Sequence, residues 1–123
     1  MSQPLKACPD SPNCVCSEHA DAMHEIAPLA FSGDSELAWA DVITAVKSLP
    51  RTTIIESGAD YLQAESRSLL FRFVDDLELR LDADAGVIHV RSASRVGYGD
   101  MGVNRRRVEQ LRGQFTALQS KSR

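Results

Sequence analysis

Four residues near the start of the chain are of types that bind zinc: Cys8, Cys14, Cys16 and His19. Thiolate and imidazole groups can complete a tetrahedral zinc site. The spacing, however, lacks the C-x-x-C pair typical of structural zinc sites, and no second pair follows. We therefore expect no bound metal. In a reducing compartment the default state of such cysteines is the free thiol.

A carboxylate at position 75 is a second candidate for chemistry. Asp75 is in phase with Leu77 and Leu79 along a predicted strand, so it lies on the apolar face. An ionised carboxylate among apolar neighbours is costly unless a cation pairs with it. We expect Arg95 to be that partner. The pair is then either structural or an acid–base group with a shifted pKa in a cleft.

Arginines are frequent in the last third of the sequence, and several surround the predicted start of the final helix: Arg91, Arg95, Arg105 and Arg106. A helix N-terminus favours anions, and the arginine fork binds carboxylate or phosphate through two N–H groups. The pattern therefore indicates an anion site. The alternative is internal pairing with the domain's own acidic residues, which are Asp75, Asp76, Glu78 and Asp100.

The stretch from Gly97 to Gly102 matches G-x-G-x-x-G, the pattern with which dinucleotide-binding folds hold a pyrophosphate. The context argues against that function, because no second parallel strand follows and no acidic residue is placed to bind a ribose. Asp100 would also repel a pyrophosphate. We interpret the stretch as a glycine-rich turn and expect no cofactor.

These candidates must be positioned by one helix, four strands and a second helix. Asp34 or Ser35 caps the first helix and Pro50 ends it. Its predicted buried stripe is Leu37, Ala40, Ile43, Val46 and Leu49. Strands are predicted over residues 51–56, 61–66, 69–81 and 87–94. Asn104 is a favourable N-cap for the final helix, whose apolar stripe is Val108, Leu111, Phe115 and Leu118.

Matching of apolar residues predicts the register of the last two strands. A four-residue loop, 83–86, sets Leu79 opposite Val90, whereas a loop one residue longer sets Leu79 opposite His89. We prefer the first register, because a slip by one residue turns side chains to the wrong face. It also brings three polar residues together on the apolar face: Asp75, Ser92 and Ser94.

The same matching pairs the second and third strands, with Leu62 opposite Phe73 and Ala64 opposite Phe71. The predicted fold is thus α+β, a four-stranded antiparallel meander sheet packed against an N-terminal and a C-terminal helix. It forms a single domain over residues 34–123. Residues 1–33 contain four of the five prolines and are predicted to form an extended N-terminal arm over the domain.

Composition limits the class of protein. The chain has 123 residues, of which 43% are hydrophobic and 25% charged, as in a single globular domain. The net charge of -3 argues against a nucleic-acid partner. The sequence has no apolar run of the roughly 18–20 residues that span a bilayer. The N-terminus lacks a signal-peptide core, which predicts a cytoplasmic protein, although removal of a leader would leave the same start.

Five stretches of the chain form a recognisable set: Cys8-Pro-Asp-Ser-Pro-Asn-Cys14, Tyr61-Leu-Gln-Ala-Glu65, Phe73-Val-Asp-Asp-Leu-Glu78, Val87-Ile-His-Val-Arg-Ser-Ala-Ser-Arg-Val-Gly97 and Asp100-Met-Gly-Val-Asn-Arg105. Together they resemble the family called domain of unknown function 1499. That resemblance implies no particular reaction. Cys16, where the family commonly has Ser, and Gly99 depart from its pattern. In exported relatives the resemblance implies a Cys8–Cys14 disulfide. For this chain we favour free thiols.

The expected function is non-catalytic binding of a small anionic ligand or an acidic peptide near the start of the final helix. The candidate ligand-binding residues are Asp75, Arg91, Ser92, Ser94, Arg95, Asn104 and Arg105. One alternative is a small hydrolase that uses Asp75 or Asp76 with Arg95. Another is an accessory module that recruits a partner protein through its arm. The sequence leaves open whether the domain is an enzyme.

Overall fold

The computed structural model describes residues 3–69, 73–97 and 99–121. Its elements in chain order are β1 (Cys14–Cys16), β2 (Leu29–Ala30), α1 (Ser35–Lys47), β3 (Thr52–Ser57), β4 (Tyr61–Arg67), β5 (Val74–Asp82), β6 (Val87–Ser94) and α2 (Val103–Lys121). The predicted α+β class, with an antiparallel sheet and two helices, is confirmed.

The sheet has six strands in the described chain, in the order β1-β6-β5-β4-β3, and β2 also pairs with β6. The predicted count of four is wrong, because two short segments before α1 pair with the outer edge of β6. Cys14 lies opposite Ala93, and Leu29 lies opposite Ile88. These strands have three and two residues, too few for an alternating pattern to reveal them.

The predicted register of the last two strands is confirmed, with Leu79 opposite Val90 and Asp75 opposite Ser94. The predicted register between the second and third strands is wrong. Leu62 lies opposite Leu79, because β5 begins only at Val74. Phe73 precedes that strand and is exposed. Phe71 lies outside the described residues.

Helix α1 begins as predicted. The Asp34 side chain accepts hydrogen bonds from the backbone N–H groups of Glu36 and Leu37. The predicted stripe is only partly correct, because Leu37 is exposed while Val46 is buried. Residues three positions apart are about 60° apart around a helix. A series of five residues at this spacing therefore turns away from the buried face. The buried residues of α1 are Ala38, Trp39, Val42, Ala45 and Val46.

Both helices pack on one face of the sheet and enclose the apolar core. Helix α2 buries Val108, Leu111 and Phe115, as predicted. Its fourth predicted stripe residue, Leu118, packs against the core from a half-buried position. The core also includes residues before α1, namely Val15, Ile26 and Leu29.

A disulfide joins Cys8 and Cys14, whose Cα atoms are 5.7 Å apart. The expectation of free thiols is therefore wrong for these two residues. Cys16 is a free, buried cysteine, and burial raises the pKa of its thiol. In the described part of the chain, no group of three or more metal-ligating side chains is clustered.

A buried histidine ties the segment between the disulfide and β2 together. His24 Nδ1 lies 2.7 Å from Asp21 Oδ1, and Nε2 lies 2.9 Å from the Ser11 carbonyl oxygen. Both partners are acceptors, so the arrangement fits an imidazolium that donates from both nitrogens. The Ser11 carbonyl raises the pKa of His24, burial lowers it, and the Asp21 carboxylate raises it. The net shift is upward.

This upward shift predicts a pH dependence of stability. Protonated His24 stabilises the fold fully below its unfolded pKa of about 6.5, and this contribution disappears as pH rises through the higher folded pKa. Urea unfolding between about pH 5 and 8 should show the decline in the parent protein. His24→Gln should lose it. The exposed His19, changed to Asn, is the control and should keep it.

The packing predicts unequal costs for two leucine truncations. Leu79 is fully buried on the central strand, so Leu79→Ala should lower the free energy of unfolding by about 2–5 kcal/mol. Leu37 is 56% exposed, so Leu37→Ala should change it by no more than about 0.5 kcal/mol. Denaturant unfolding gives both values. Similar losses for the two variants would contradict the helix orientation.

Candidate functional site

Polar residues interrupt the apolar face of the sheet where β5 and β6 approach the start of α2. Asp75 is 8% exposed, and Ser92 and Asn104 are fully buried. Ser94 is directly opposite Asp75 and belongs to the same group. Four of the predicted site residues are therefore neighbours. We call this group, together with Arg107, the buried polar cluster.

The cation that pairs with Asp75 is Arg107. Its Nη2 lies 2.8 Å from Asp75 Oδ2, and its Nη1 donates to Ser92 Oγ at 3.1 Å and Asn104 Oδ1 at 2.8 Å. The prediction that Arg95 pairs with Asp75 is wrong. Arg95 follows Ser94 by one residue, so its side chain lies on the opposite side of the sheet.

Asn104 connects α2 to three other segments. Its Oδ1 accepts from Ser92 Oγ at 2.7 Å, and its Nδ2 lies within 3.1 Å of the Asn13 carbonyl, Ser94 Oγ and Asp100 Oδ2. Each buried polar group of Asn104 thus has a partner, which removes the cost of burying it.

The predicted role of Asn104 as N-cap is wrong, because α2 begins at Val103 and the side chain that accepts from its first N–H groups is that of Asp100. The Asp100 carboxylate accepts from the backbone N–H groups of Gly102 and Asn104, at 2.8 and 3.0 Å. Burial raises the pKa of Asp100, but the hydrogen bonds from Asn104 and Gly102 outweigh burial, so the pKa lies below its ordinary value.

The remaining predicted residues lie elsewhere. Arg95 Nε donates to Asp76 Oδ2 at 2.8 Å on the outer face of the sheet, and this contact lowers the pKa of Asp76. Arg91 lies on the same outer face, 3.5 Å from Glu78. Arg105 is exposed and borders a separate depression beside residues 25–28. The three arginines therefore do not converge with the buried polar cluster.

The alternative of a small hydrolase would use Asp75 or Asp76 together with Arg95. The two side chains lie on opposite faces of β5, and each is paired with a different arginine. Asp75 is therefore separated from Arg95 by the sheet, whereas Asp76 is already ion-paired with Arg95 on the outer face.

A cleft of about 190 Å³ opens beside the buried polar cluster, between the end of α1, the edge of the β3–β4 hairpin and the first turns of α2. It is lined by Leu49, Pro50, Arg51, Thr52, Ser66, Arg67, Val103, Arg106, Arg107 and Gln110. Four of these residues are arginines and none is acidic. We call this depression the arginine cleft.

Two of the cleft arginines have no ion pair among the described residues. Arg51 Nε donates to the Arg67 carbonyl at 3.1 Å, and Arg106 Nη1 donates to the Met101 carbonyl at 2.9 Å. These contacts fix each guanidinium through one nitrogen. They leave the charge of both groups uncompensated by a carboxylate.

Backbone conformation supports this placement at two points. Arg51 has φ of 51°, in the left-handed region that non-glycine residues adopt at a cost. Gly102 has φ of 80°, and a Cβ there would lie 3.0 Å from Arg106 Nη1. Glycine at this position thus leaves room for the Arg106 guanidinium above the loop.

Sequence reasoning missed Arg51, Arg67 and Arg107. Thr52 lies opposite Ser66, so the flanking Arg51 and Arg67 are brought to the same end of the hairpin. Two like charges at adjacent strand ends are unfavourable. This repulsion between like charges was the available sign of the site in the sequence, because the hairpin itself was predicted.

Residues 4–115 match the model of the family described as "Protein of unknown function (DUF1499)", and the chain belongs to this family. The resemblance seen in the sequence is confirmed. A search of curated proteins finds no match. Among the described helices, none combines the length and apolar character needed to cross a bilayer.

The cluster predicts which charge removals destabilise the fold. The side chains of Asp75 and Arg107 are only 11% and 14% exposed, so Asp75→Ala should strand a buried cation and cost about 3–5 kcal/mol. Asp76→Ala, on the outer face, should cost much less. Chemical denaturation of the two variants measures the difference. Equal losses would contradict the assignment of Arg107 as partner.

Proposed function

We propose that this domain binds a small anion, a phosphate or a carboxylate, in the arginine cleft. The single observation behind this proposal is the convergence of Arg51 and Arg106 on one small depression without acidic lining. A guanidinium presents two parallel N–H donors that match the oxygens of such anions. Arg67 adds a third guanidinium at the same wall, with Glu65 3.3 Å from its Nη2. The hydroxyl groups of Thr52 and Ser66 also line this wall, but Thr52 Oγ1 donates to the Pro50 carbonyl and is hydrogen-bonded to Ser66 Oγ.

The charge balance of the protein supports the proposal. The chain has a net charge of -3, so an acidic partner for each arginine is in ample supply. Arg80, Arg91, Arg95, Arg107 and Arg112 each have a carboxylate partner. Among the described arginines, Arg51, Arg105 and Arg106 lack one. Arg105 is exposed outside the cleft, whereas an anion in the cleft would supply the missing charge for Arg51 and Arg106.

The size of the cleft favours a small ligand. Its volume of about 190 Å³ is below the roughly 300–1,000 Å³ of sites that hold drug-sized molecules. A phosphate or carboxylate group fits such a space. The rest of a larger ligand would extend over the rim.

The lining favours binding over catalysis. Thr52 Oγ1 and Ser66 Oγ lie 2.7 Å apart and are hydrogen-bonded to each other. Among the described residues, no histidine, cysteine or carboxylate lines the cleft to act as a base for these hydroxyls. A nucleophile without a base is weak, so the arrangement supports a binding module.

Anion binding predicts a selective effect of ligand on stability. Phosphate should raise the melting temperature of the parent protein beyond sodium chloride of equal ionic strength, with about 2.7 kcal/mol gained at a hundredfold excess over Kd. Arg106→Ala should abolish this gain. Arg105→Ala, the adjacent arginine outside the cleft, is the matched control and should retain it.

A second variant separates binding from folding. Arg51→Gly places glycine where φ is already positive, so the variant should stay folded. It should nevertheless lose the phosphate response, because the guanidinium is gone. A phosphate response that survives in Arg51→Gly and Arg106→Ala alike would exclude the cleft as the site.

A further inference from the structure

The arginine cleft lies at one end of the sheet, which we call the arginine end: there β3, β5 and α2 begin, and β4 and β6 finish. Eight large apolar side chains are exposed in the described chain, and five of them lie at this end: Leu69, Phe73, Val96, Met101 and Val103. Single exposed apolar residues are normal, but a concentration at one end indicates a contact surface.

Met101 is the strongest member of this group. Its side chain is 91% exposed, and its backbone has φ of 55°, which costs free energy in a non-glycine residue. The fold therefore holds an apolar side chain in water at the tip of a strained turn. The Met101 carbonyl accepts a hydrogen bond from Arg106, so this turn is fixed to the wall of the arginine cleft.

The shape of this surface favours a membrane over a peptide as the partner. A peptide docks in a groove, whereas here the exposed apolar residues are on separate loops at the end of the sheet that also holds the basic cleft. Leu69, at 73% exposed, follows β4, and Val96 follows β6. Projecting apolar side chains beside arginines complement a bilayer surface, where acyl chains lie beneath anionic headgroups.

We propose that the arginine end docks on the surface of a membrane that contains anionic lipid, with Leu69, Val96 and Met101 in the interface and a headgroup phosphate in the arginine cleft. The inference rests on the proposed function for the headgroup contact. The apolar contact is independent of it. The chain has a net charge of -3, so an anionic surface would attract it through a locally basic region, and the arginine cleft provides one at this end.

The test is flotation of the purified protein with phosphatidylcholine vesicles that contain or lack phosphatidylglycerol. We expect binding to the vesicles with phosphatidylglycerol and little to the others. Met101→Gly should weaken binding about tenfold, since it removes one apolar side chain that the bilayer interface would bury. Glycine suits the positive φ at this position, so the variant should stay folded. Arg106→Ala should weaken binding about fivefold or more.

Leu37→Ser is the matched control. Leu37 is 56% exposed, but it lies at the start of α1, at the other end of the sheet, so this variant should bind like the parent. Equal binding by Met101→Gly and Leu37→Ser would overturn the proposal, as would absence of binding to both kinds of vesicle. Self-association through the same residues, seen as a dimer that Met101→Gly dissociates, would also overturn it.

The two proposals can fail separately. A phosphate-dependent rise in melting temperature without vesicle binding would leave the anion site standing and reject the membrane contact. Vesicle binding that depends on Met101 but not on Arg106, in a protein that phosphate does not stabilise, would reject the anion site.

Discussion

The ion pair between Asp75 and Arg107 is the interaction on which the arrangement of this domain depends. A carboxylate on the core face of a central strand destabilises the fold unless a cation and further hydrogen bonds compensate for its lost hydration. Arg107 supplies both, because its second nitrogen binds Ser92 and Asn104. The pair therefore fixes the rotation of α2 about its own axis relative to the sheet.

The consequences extend from this pair in two directions. Asn104, held by Arg107, contacts the Asn13 carbonyl and Asp100, so the disulfide-closed segment and the loop before α2 are positioned by the same group. In the other direction, Arg106 is the neighbour of Arg107 along the helix and lies about 100° around it. Burial of one arginine thereby places the next at the wall of the cleft, next to Arg51.

Two parts of this arrangement could be predicted from the sequence. Alternation along β5 and β6, combined with a short loop, leaves one register that matches apolar residues, and it places Asp75 beside Ser92 and Ser94. The apolar positions of α2 are also regular enough to predict its buried face. In both cases, neighbouring residues along the chain determine the answer.

The remainder depends on contacts between distant segments. The partner of Asp75 could not be deduced. The alternation of side chains along a strand determines the face on which Asp75 lies, but it does not determine which residue of a helix packs against that face. Alternation that continues before Val74 made β5 seem longer than it is, so Leu62 was paired six residues out of place. The arginine cleft is assembled from α1, the β3–β4 hairpin and α2, and no local pattern joins these elements.

The anion site proposed at Arg51 and Arg106 can be tested on the arginine side chains themselves. The most direct measurement is a phosphate titration followed by NMR of the arginine side-chain Nε–Hε groups, at constant ionic strength. The account predicts saturable shifts with one common Kd at Arg51 and Arg106 and no saturable shift at Arg105. Linear, non-saturating changes at all three arginines would contradict it.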